Sequence, residues 1–335
     1  QLAGTPSGDI MTVAAGDQVE VIDHIAGREP EPVRTTLDPA VQAAVEVALG
    51  DTTRPTAVVV VDSHSNVRAV ASRPIGEFNR ALGGSYPPGS TFKVVTTAAL
   101  LGAGVTPDTP VECTPTYNAG GRLFSNFEDS SLGTVPFGTA FAQSCNTAFI
   151  SAAAGVPDDA LAAAAESFGF NADYNVGLDT VGGSFPMPAD ATEHAAEVIG
   201  QGEVTASPLH MATVGGTVID GTWDPPVLLR GPPAGDGESD GDSGGEGESG
   251  GEGEAAVAPP PATQLADGAP DIIHDLMRRV VREGSGTAAA VPGADIAGKT
   301  GTAEFGGGDP PPTHAWFIGI RGDLAVAVLV EDGGV

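Results

Sequence analysis

A serine and a lysine are spaced in this chain so that they could perform nucleophilic chemistry. The tetrad Ser90-Thr91-Phe92-Lys93 opens a predicted helix, and a spacing of three residues puts Ser90 and Lys93 on one face, one turn apart. A serine hydroxyl is a poor nucleophile until a base removes its proton, and a neutral lysine amine can be that base. Backbone N–H groups at a helix N-terminus favour the negative charge that develops during attack. By itself the tetrad also fits a helix-capping serine followed by a solvated lysine.

A second lysine motif, Lys299-Thr300-Gly301-Thr302, precedes the last predicted hairpin. A strand edge at this place could offer backbone groups, two hydroxyls and a cation to a peptide that ends in a carboxylate. The alternative is a glycine-containing turn with a surface lysine. Lys93 and Lys299 are the only lysines among 335 residues. The explanation as a solvated surface lysine would therefore have to hold independently for both motifs.

A third polar cluster, Ser144-Cys145-Asn146, lies between the two lysine motifs and supplies a hydroxyl and a carboxamide. Such groups suit a proton relay and the binding of a substrate amide, although Ser-x-Asn recurs by chance in most proteins. Cys113 and Cys145 are the only cysteines, and their spacing does not resemble a zinc site. In an exported protein they could pair in a disulfide. Alternatively, they are buried free thiols.

Composition narrows the classes of partner. The chain carries 44 acidic and 14 basic residues, a net charge of −30. Such a surface repels phosphate backbones, so we expect no nucleic-acid partner. No apolar run approaches the roughly 18 residues of a membrane span, and the six histidines show no metal-binding spacing. We therefore expect neither a metal nor a cofactor.

The predicted elements make an α+β fold, an antiparallel sheet flanked by helices. Short strands are expected within 8–34, a hairpin at 57–72, and final strands at 315–320 and 324–330. Predicted helices cover 38–49, 90–101, 136–154, 158–168, 206–219 and 270–283. We expect residues 1–36 to be the remnant of an N-terminal domain with linker strands. Residues 37–335 would form the main domain, interrupted by an insert at about 232–262, of which the acidic segment 235–254 should be disordered.

In order, Ser-x-x-Lys, Ser-x-Asn and Lys-Thr-Gly resemble the motifs of the penicillin-recognising serine acyltransferases. Further segments resemble the transpeptidase domain of penicillin-binding proteins from about residue 34 to residue 332, outside the acidic insert. These segments are Phe78–Gly89, Ser144–Phe149, Gly200-Gln201-Gly202, Ser207–Ala212, Val280–Gly284, Ala297–Glu304 and His314–Phe317. The chain is therefore similar to the class B, high-molecular-mass type, whose fold adds an all-helical subdomain to the sheet.

The resemblance implies a role for each motif residue on the nucleophile side. Ser90 would be the nucleophile and Lys93 its base, while Ser144 would carry a proton to the leaving amine. Asn146 would hold the substrate backbone. Nearby ammonium groups lower each other's pKa and burial adds to the effect, so a neutral Lys93 is accessible.

On the substrate side, the resemblance implies that Lys299 supplies positive potential, with Gly301 in the same motif. Thr300 and Thr302 would bind the terminal carboxylate, and the backbone N–H groups of Ser90 and Thr302 would form the oxyanion hole. A disulfide between the two cysteines would brace the wall that carries the Ser144 motif.

The implied activity is D,D-transpeptidation of peptidoglycan. Ser90 would attack the penultimate D-Ala of a stem peptide, D-Ala would leave, and an amine of a second stem would resolve the acyl-enzyme. β-Lactams would mimic this terminus of the stem peptide and acylate Ser90. Alternatives are a D,D-carboxypeptidase or a β-lactamase on the same fold, and a non-catalytic β-lactam sensor.

The resemblance also implies a place in the cell. The domain would work at the extracytoplasmic face of a bacterial membrane, through an anchor that this chain lacks, with cell-wall synthesis partners that the sequence does not identify. Family members continue into a C-terminal helix, which we expect to be missing here.

Overall fold

The computed structural model describes residues 8–13, 19–25, 33–230, 259–308 and 311–334, and only the backbone of the first two ranges. The predicted acidic segment 235–254 lies outside them. The described residues fall into two compact units, one drawn from 1–36 and 229–253 and the other from 37–228 and 254–335.

The helices and strands are numbered along the chain. The helices are α1 (Pro39–Leu49), α2 (Arg80–Gly83), α3 (Lys93–Gly102), α4 (Phe137–Ala142), α5 (Asn146–Ala153), α6 (Asp158–Ser167), α7 (Ala191–Val198), α8 (Pro208–Asp220) and α9 (Ala269–Glu283). The strands are β1 (Gly8–Val13), β2 (Val19–Ile25), β3 (Arg34–Thr35), β4 (Thr56–Asp62), β5 (Val67–Arg73), β6 (Pro110–Cys113), β7 (Thr116–Ala119), β8 (Arg122–Ser125), β9 (Gly133–Pro136), β10 (Gly183–Ser184), β11 (Thr205–Ala206), β12 (Thr222–Trp223), β13 (Leu229–Arg230), β14 (Thr263–Gln264), β15 (Ala297–Glu304), β16 (Thr313–Arg321) and β17 (Leu324–Val330). In the first unit, β1 pairs with β2 and β3 with β13.

The second unit is organised around a five-stranded antiparallel sheet in the order β15-β16-β17-β4-β5. Strand β4 reads TAVVVVD and is buried at every position, as expected for a β-branched strand covered on both faces. Strand β5, at the edge of the sheet, alternates between buried and partly buried residues, because successive side chains point to opposite faces and one face is more covered. The predicted α+β class is confirmed.

Helix α8 is the central helix and lies on the sheet. Its residues from Pro208 to Val218 are all buried, as in a helix that is covered all round. Two glycines allow the close approach: a Cβ at Gly215 would lie 3.0 Å from the side chain of Ala325, and one at Gly216 would lie 3.2 Å from the carbonyl of Asp62. On the other face, α1 begins after the predicted cap Asp38, whose carboxylate accepts hydrogen bonds from two backbone N–H groups.

Two predicted helices have different boundaries from those expected. The helix expected from residue 90 begins as a 3₁₀ turn, Gly89–Phe92, before α3. The single helix expected at 136–154 is broken into α4 and α5. The small ladders β6–β9, β7–β8 and β10–β11 were not predicted, because their strands have only two to four residues. Helix α7 was not predicted either.

Within the described ranges no single helix is long and apolar enough to span a membrane. Helices α5 and α6 pass the length and composition test only as a pair, and the chain bends by 117° between them.

Candidate active site

Ser90 lies in a 3₁₀ turn that glycines fit closely to its surroundings. Gly89 has φ of +52°, and its N–H donates to the Gly200 carbonyl at 2.8 Å. A Cβ at Gly89 would lie 2.5 Å from the Thr302 carbonyl oxygen, and a Cβ at Gly200 would lie 2.1 Å from the Gly89 carbonyl oxygen. Because real Cβ atoms do not approach so closely, glycine is required at both positions.

Strand β15 passes directly beside this turn. A Cβ at Gly301 would lie 2.9 Å from Thr91 Cγ2 and 3.1 Å from the Pro88 carbonyl oxygen. The neighbouring strand adds a hydrogen bond, since Trp316 Nε1 donates to the Pro87 carbonyl at 3.0 Å. Ser90, partly exposed, is thus held next to the edge strand that carries the Lys299 motif.

Ser144 occupies the break between α4 and α5. Its φ is +58°, a left-handed conformation that an α-helix cannot contain, so the predicted continuous helix has to end there. Helix α5 then begins at Asn146, after the cap residue Cys145. The break turns both polar side chains of the Ser144 motif toward the two lysines.

Lys93 is fully buried and its amine donates to three acceptors. They are the Ser144 carbonyl at 2.7 Å, Asn146 Oδ1 at 2.7 Å and Ser144 Oγ at 3.3 Å. Asn146 is oriented in turn because its Nδ2 donates to the Ser125 carbonyl at 3.0 Å. The amine of Lys93 therefore joins the first and second motifs.

Lys299 is also fully buried, and it reaches the same hydroxyl from the other side. Its amine donates to Ser144 Oγ at 2.8 Å and to the Thr300 carbonyl at 3.0 Å. Ser144 Oγ is therefore shared by both lysines.

Burial changes the charge of both amines. The pKa of Lys93 lies well below the usual lysine value, mainly because burial penalises the ammonium form and also because Lys299 is a nearby positive charge. Burial lowers the pKa of Lys299 to about 7. A lowered pKa favours the neutral amine that the base role of Lys93 needs, and that role stays a prediction. With a pKa near 7, Lys299 is partly protonated near neutral pH, and its role as the source of positive potential stays a prediction.

Aromatic rings form the apolar wall behind the amines. Lys93 Nζ lies 5.2 Å from the ring centroid of Phe149, and Lys299 Nζ lies 5.9 Å from that of Phe141. A ring face attracts a cation, so the contact with Phe141 offsets part of the cost of burying the ammonium form of Lys299.

A disulfide joins Cys113 and Cys145, at the start of α5. Asn126 packs beside it: its Oδ1 accepts a hydrogen bond from the Thr147 N–H at 3.1 Å, and its Nδ2 donates to the Thr114 carbonyl at 2.7 Å. The bridge and this side chain fix the wall on which Ser144 and Asn146 lie.

The structure brings the residues of the three predicted motifs to one place, with one exception in detail. Among the described hydrogen bonds, none joins Ser90 Oγ to Lys93 Nζ, whose contacts go to the Ser144 motif. A catalytic hydrogen bond that is long or absent in the free enzyme can tighten in the substrate complex. The role of Lys93 as the base therefore stays a prediction. Thr300 and Thr302 lie on β15 with partly exposed side chains, at the open edge of the sheet.

Three contributions to the site were not predicted from the sequence. The packing roles of Gly89 and Gly200 could have been suspected from the Pro-Pro-Gly and Gly-Gln-Gly segments, since glycine clusters often mark close backbone approach. The Ser125 carbonyl had no signal, because a backbone group looks alike in every residue.

In the part of the chain that the structure describes, no group of three or more His, Cys, Asp or Glu side chains could hold a metal ion.

A family model and a curated relative both match this chain as a transpeptidase. Residues 56–334 match the penicillin binding protein transpeptidase domain. A curated relative, the peptidoglycan D,D-transpeptidase PbpA of Mycolicibacterium smegmatis, is 32% identical over 93% of this chain and 70% of its own length.

Solved structures are similar over most of the chain. The D,D-transpeptidase domain of a peptidoglycan glycosyltransferase from Eggerthella lenta has a TM-score of 0.76 at 28% identity, covering 96% of this chain and 85% of that one. A ceftriaxone acyl-enzyme complex of penicillin-binding protein A from Mycobacterium tuberculosis has a TM-score of 0.74 at 28% identity, covering 91% and 76%.

Proposed function

Because this chain belongs to the penicillin-binding protein transpeptidase family, we propose that it is a peptidoglycan D,D-transpeptidase acting through an acyl-enzyme on Ser90. The single observation that carries the proposal is the convergence of two buried amines, Lys93 and Lys299, on the hydroxyl of Ser144. Such an arrangement is costly in free energy, and it suits proton transfer between a nucleophile and a leaving amine.

The proton transfers follow from the number of donors on Lys93. A neutral amine has two N–H donors and one lone pair, yet three acceptors surround it. One contact is given up on deprotonation, and the lone pair can then accept the Ser90 hydroxyl proton. Ser144, placed between both lysines, passes its proton to the nitrogen of the departing D-Ala and takes a replacement from the Lys93 ammonium, which returns to the neutral amine.

The substrate lies along β15 in this proposal. Its terminal carboxylate is held by the hydroxyls of Thr300 and Thr302, near the partly protonated Lys299. Binding of an anion favours the ammonium form of Lys299. The backbone N–H groups of Ser90 and Thr302 receive the oxyanion, since the Ser90 turn packs against Thr302. Asn146 holds the substrate backbone.

Labelled penicillin provides the test. Wild-type protein should gain one covalent label per chain, detected as a mass increase on a peptide that contains Ser90, while Ser90→Ala should gain none. Equal labelling of the two proteins would refute the proposal.

The fate of the acyl-enzyme separates the related activities. Release over hours favours the transpeptidase, whereas release in milliseconds would favour the β-lactamase. A carboxypeptidase would release D-Ala from a stem peptide without forming a cross-link to an added acceptor amine.

The cellular location follows from the substrate class. A peptidoglycan transpeptidase acts outside the cytoplasm, so we place this domain at the extracytoplasmic face of a bacterial membrane. Its attachment to that membrane and its partners in cell-wall synthesis stay predictions.

A further inference from the structure

Ser285 places an additional hydroxyl beside the proposed carboxylate site. Its Oγ lies 2.6 Å from Thr300 Oγ1. Ser285 is exposed and Thr300 is partly exposed, so the pair faces solvent instead of the core. No motif of the sequence includes Ser285, and Thr300 can bind a carboxylate only if its hydroxyl proton is oriented toward it.

The backbone of Ser285 is fixed from the side of the second motif. Its N–H donates to the Ala142 carbonyl at 2.9 Å, at the end of α4 and two residues before Ser144. Gly284, the preceding residue, also lies against this carbonyl: a Cβ at Gly284 would be 2.1 Å from the same oxygen. Ser285 is therefore held in a defined position relative to Ser144 and can hold Thr300 in turn.

The backbone of Thr300 is fixed from the opposite side, since its carbonyl accepts the hydrogen bond from Lys299 Nζ at 3.0 Å. Its hydroxyl has a single proton, and a carboxylate can only accept hydrogen bonds. If that proton pointed to Ser285, a bound carboxylate would meet the oxygen lone pairs of Thr300 and be repelled. If Ser285 donates, the proton of Thr300 is free to point at the carboxylate, and the two bonds in series strengthen each other.

We propose that Ser285 is a positioning residue for the carboxylate end of the substrate: its hydroxyl donates to Thr300 Oγ1 and directs the Thr300 proton toward that carboxylate. The ligand class is a peptide or β-lactam with a free carboxylate. This inference rests on the proposed acyl transfer at Ser90. Ser285 does not touch the reacting carbonyl, so it affects binding before the covalent step.

The test measures covalent labelling by a penicillin over a range of concentrations. From these data come the dissociation constant of the initial complex and the limiting rate of acylation. Ser285→Ala should weaken the initial complex about five- to tenfold, as expected for one hydrogen bond to a group that binds a charge. The limiting rate should stay within about twofold, because Ser90 and Lys93 are unchanged. Ser285→Thr, which keeps the hydroxyl, should restore binding.

Two controls separate positioning from a structural effect. Ser167→Ala removes a hydroxyl that donates to the Ala164 carbonyl in α6 and should leave both constants unchanged. A methyl ester of the same penicillin has no carboxylate, so wild-type and Ser285→Ala proteins should bind it equally. In a Thr300→Val background, Ser285→Ala should have no further effect, since the two residues act in series.

Each result has a defined meaning. Equal penicillin binding by wild-type and Ser285→Ala proteins overturns the inference while labelling at Ser90 still supports the proposed function. An equal loss with the penicillin and its ester overturns it as well, because the effect would then be independent of the carboxylate. If the wild-type protein is not labelled at Ser90, the proposed function fails and the inference fails with it.

Discussion

Replacing Lys299 by glutamine should shift the pH dependence of acylation to higher pH. Lys93 and Lys299 both hydrogen bond to Ser144 Oγ, at 3.3 and 2.8 Å, which places the two amines within about 6 Å of each other. With an effective dielectric constant of about 20, two full charges at this separation repel by about 3 kcal/mol. Since the pKa of Lys299 is about 7, roughly half of its charge is present near neutral pH.

The sign of the change follows from the role of Lys93. In the proposed acyl transfer the neutral amine of Lys93 is the reactive form, so acylation should rise with pH through the pKa of Lys93. Loss of the positive neighbour removes this repulsion and raises that pKa, so the acylation rate below the midpoint falls, by up to about a hundredfold for a full neighbouring charge. Measuring the limiting acylation rate at saturating labelled penicillin removes the weaker substrate binding that the substitution also causes.

Lys299→Arg is the matched control because it keeps a positive charge at this position. Its pH midpoint should remain close to that of the wild type even if binding is impaired. A Lys299→Gln profile whose midpoint coincides with the wild-type midpoint would refute electrostatic coupling between the two amines. A shift of equal size in both variants would point to a change in packing, and would also refute it.

Three further predictions concern stability and shape. Reduction of the Cys113–Cys145 bridge, which closes a separation of 32 residues, should lower the free energy of unfolding in urea by about 3–4 kcal/mol; an unchanged urea midpoint would contradict this. The buried carboxyl of Glu197 has a pKa raised from 4.5 to about 8 by burial first and by nearby acidic groups second, so the folded state binds more protons and stability should fall as pH rises between those values, by up to about 1.4 kcal/mol per unit. Glu197→Gln should flatten that slope in thermal melts at a series of pH values, and an unaltered slope would assign it to other groups. Gly200→Ala should abolish labelling of Ser90 because its Cβ would meet a carbonyl oxygen at 2.1 Å with φ at +74°, whereas Gly155→Ala, with nothing within 4 Å, should label normally.

The elements with a strong local signal were predictable from the sequence. The cap and first proline of α1, the β-branched run of β4 and the final hairpin have the expected boundaries to within a few residues. In each case, neighbours along the chain determine the backbone conformation through capping, steric preference or period. The antiparallel sheet followed from strands at both ends of the chain.

The helix break at Ser144 was not predictable in this way. Residues 136–154 are mostly apolar and compatible with one helix, and serine carries no strong preference for a left-handed backbone. Contacts from distant segments decide the conformation: both lysines bind Ser144, and the Ser125 carbonyl binds Asn146. The sum of such contacts can exceed the cost of a positive φ, which is of order 1–3 kcal/mol.

The sequence by itself determined which residues are the candidates for the chemistry, because only two lysines exist and each lies in a motif with hydroxyl neighbours. Tertiary structure alone decided the charge on those lysines and the direction in which they point. Burial and mutual distance set a pKa, and both depend on which helices and strands pack around the amines. Lys93 therefore contacts Ser144 and Asn146, more than fifty positions away in the chain, although spacing alone pointed it at Ser90.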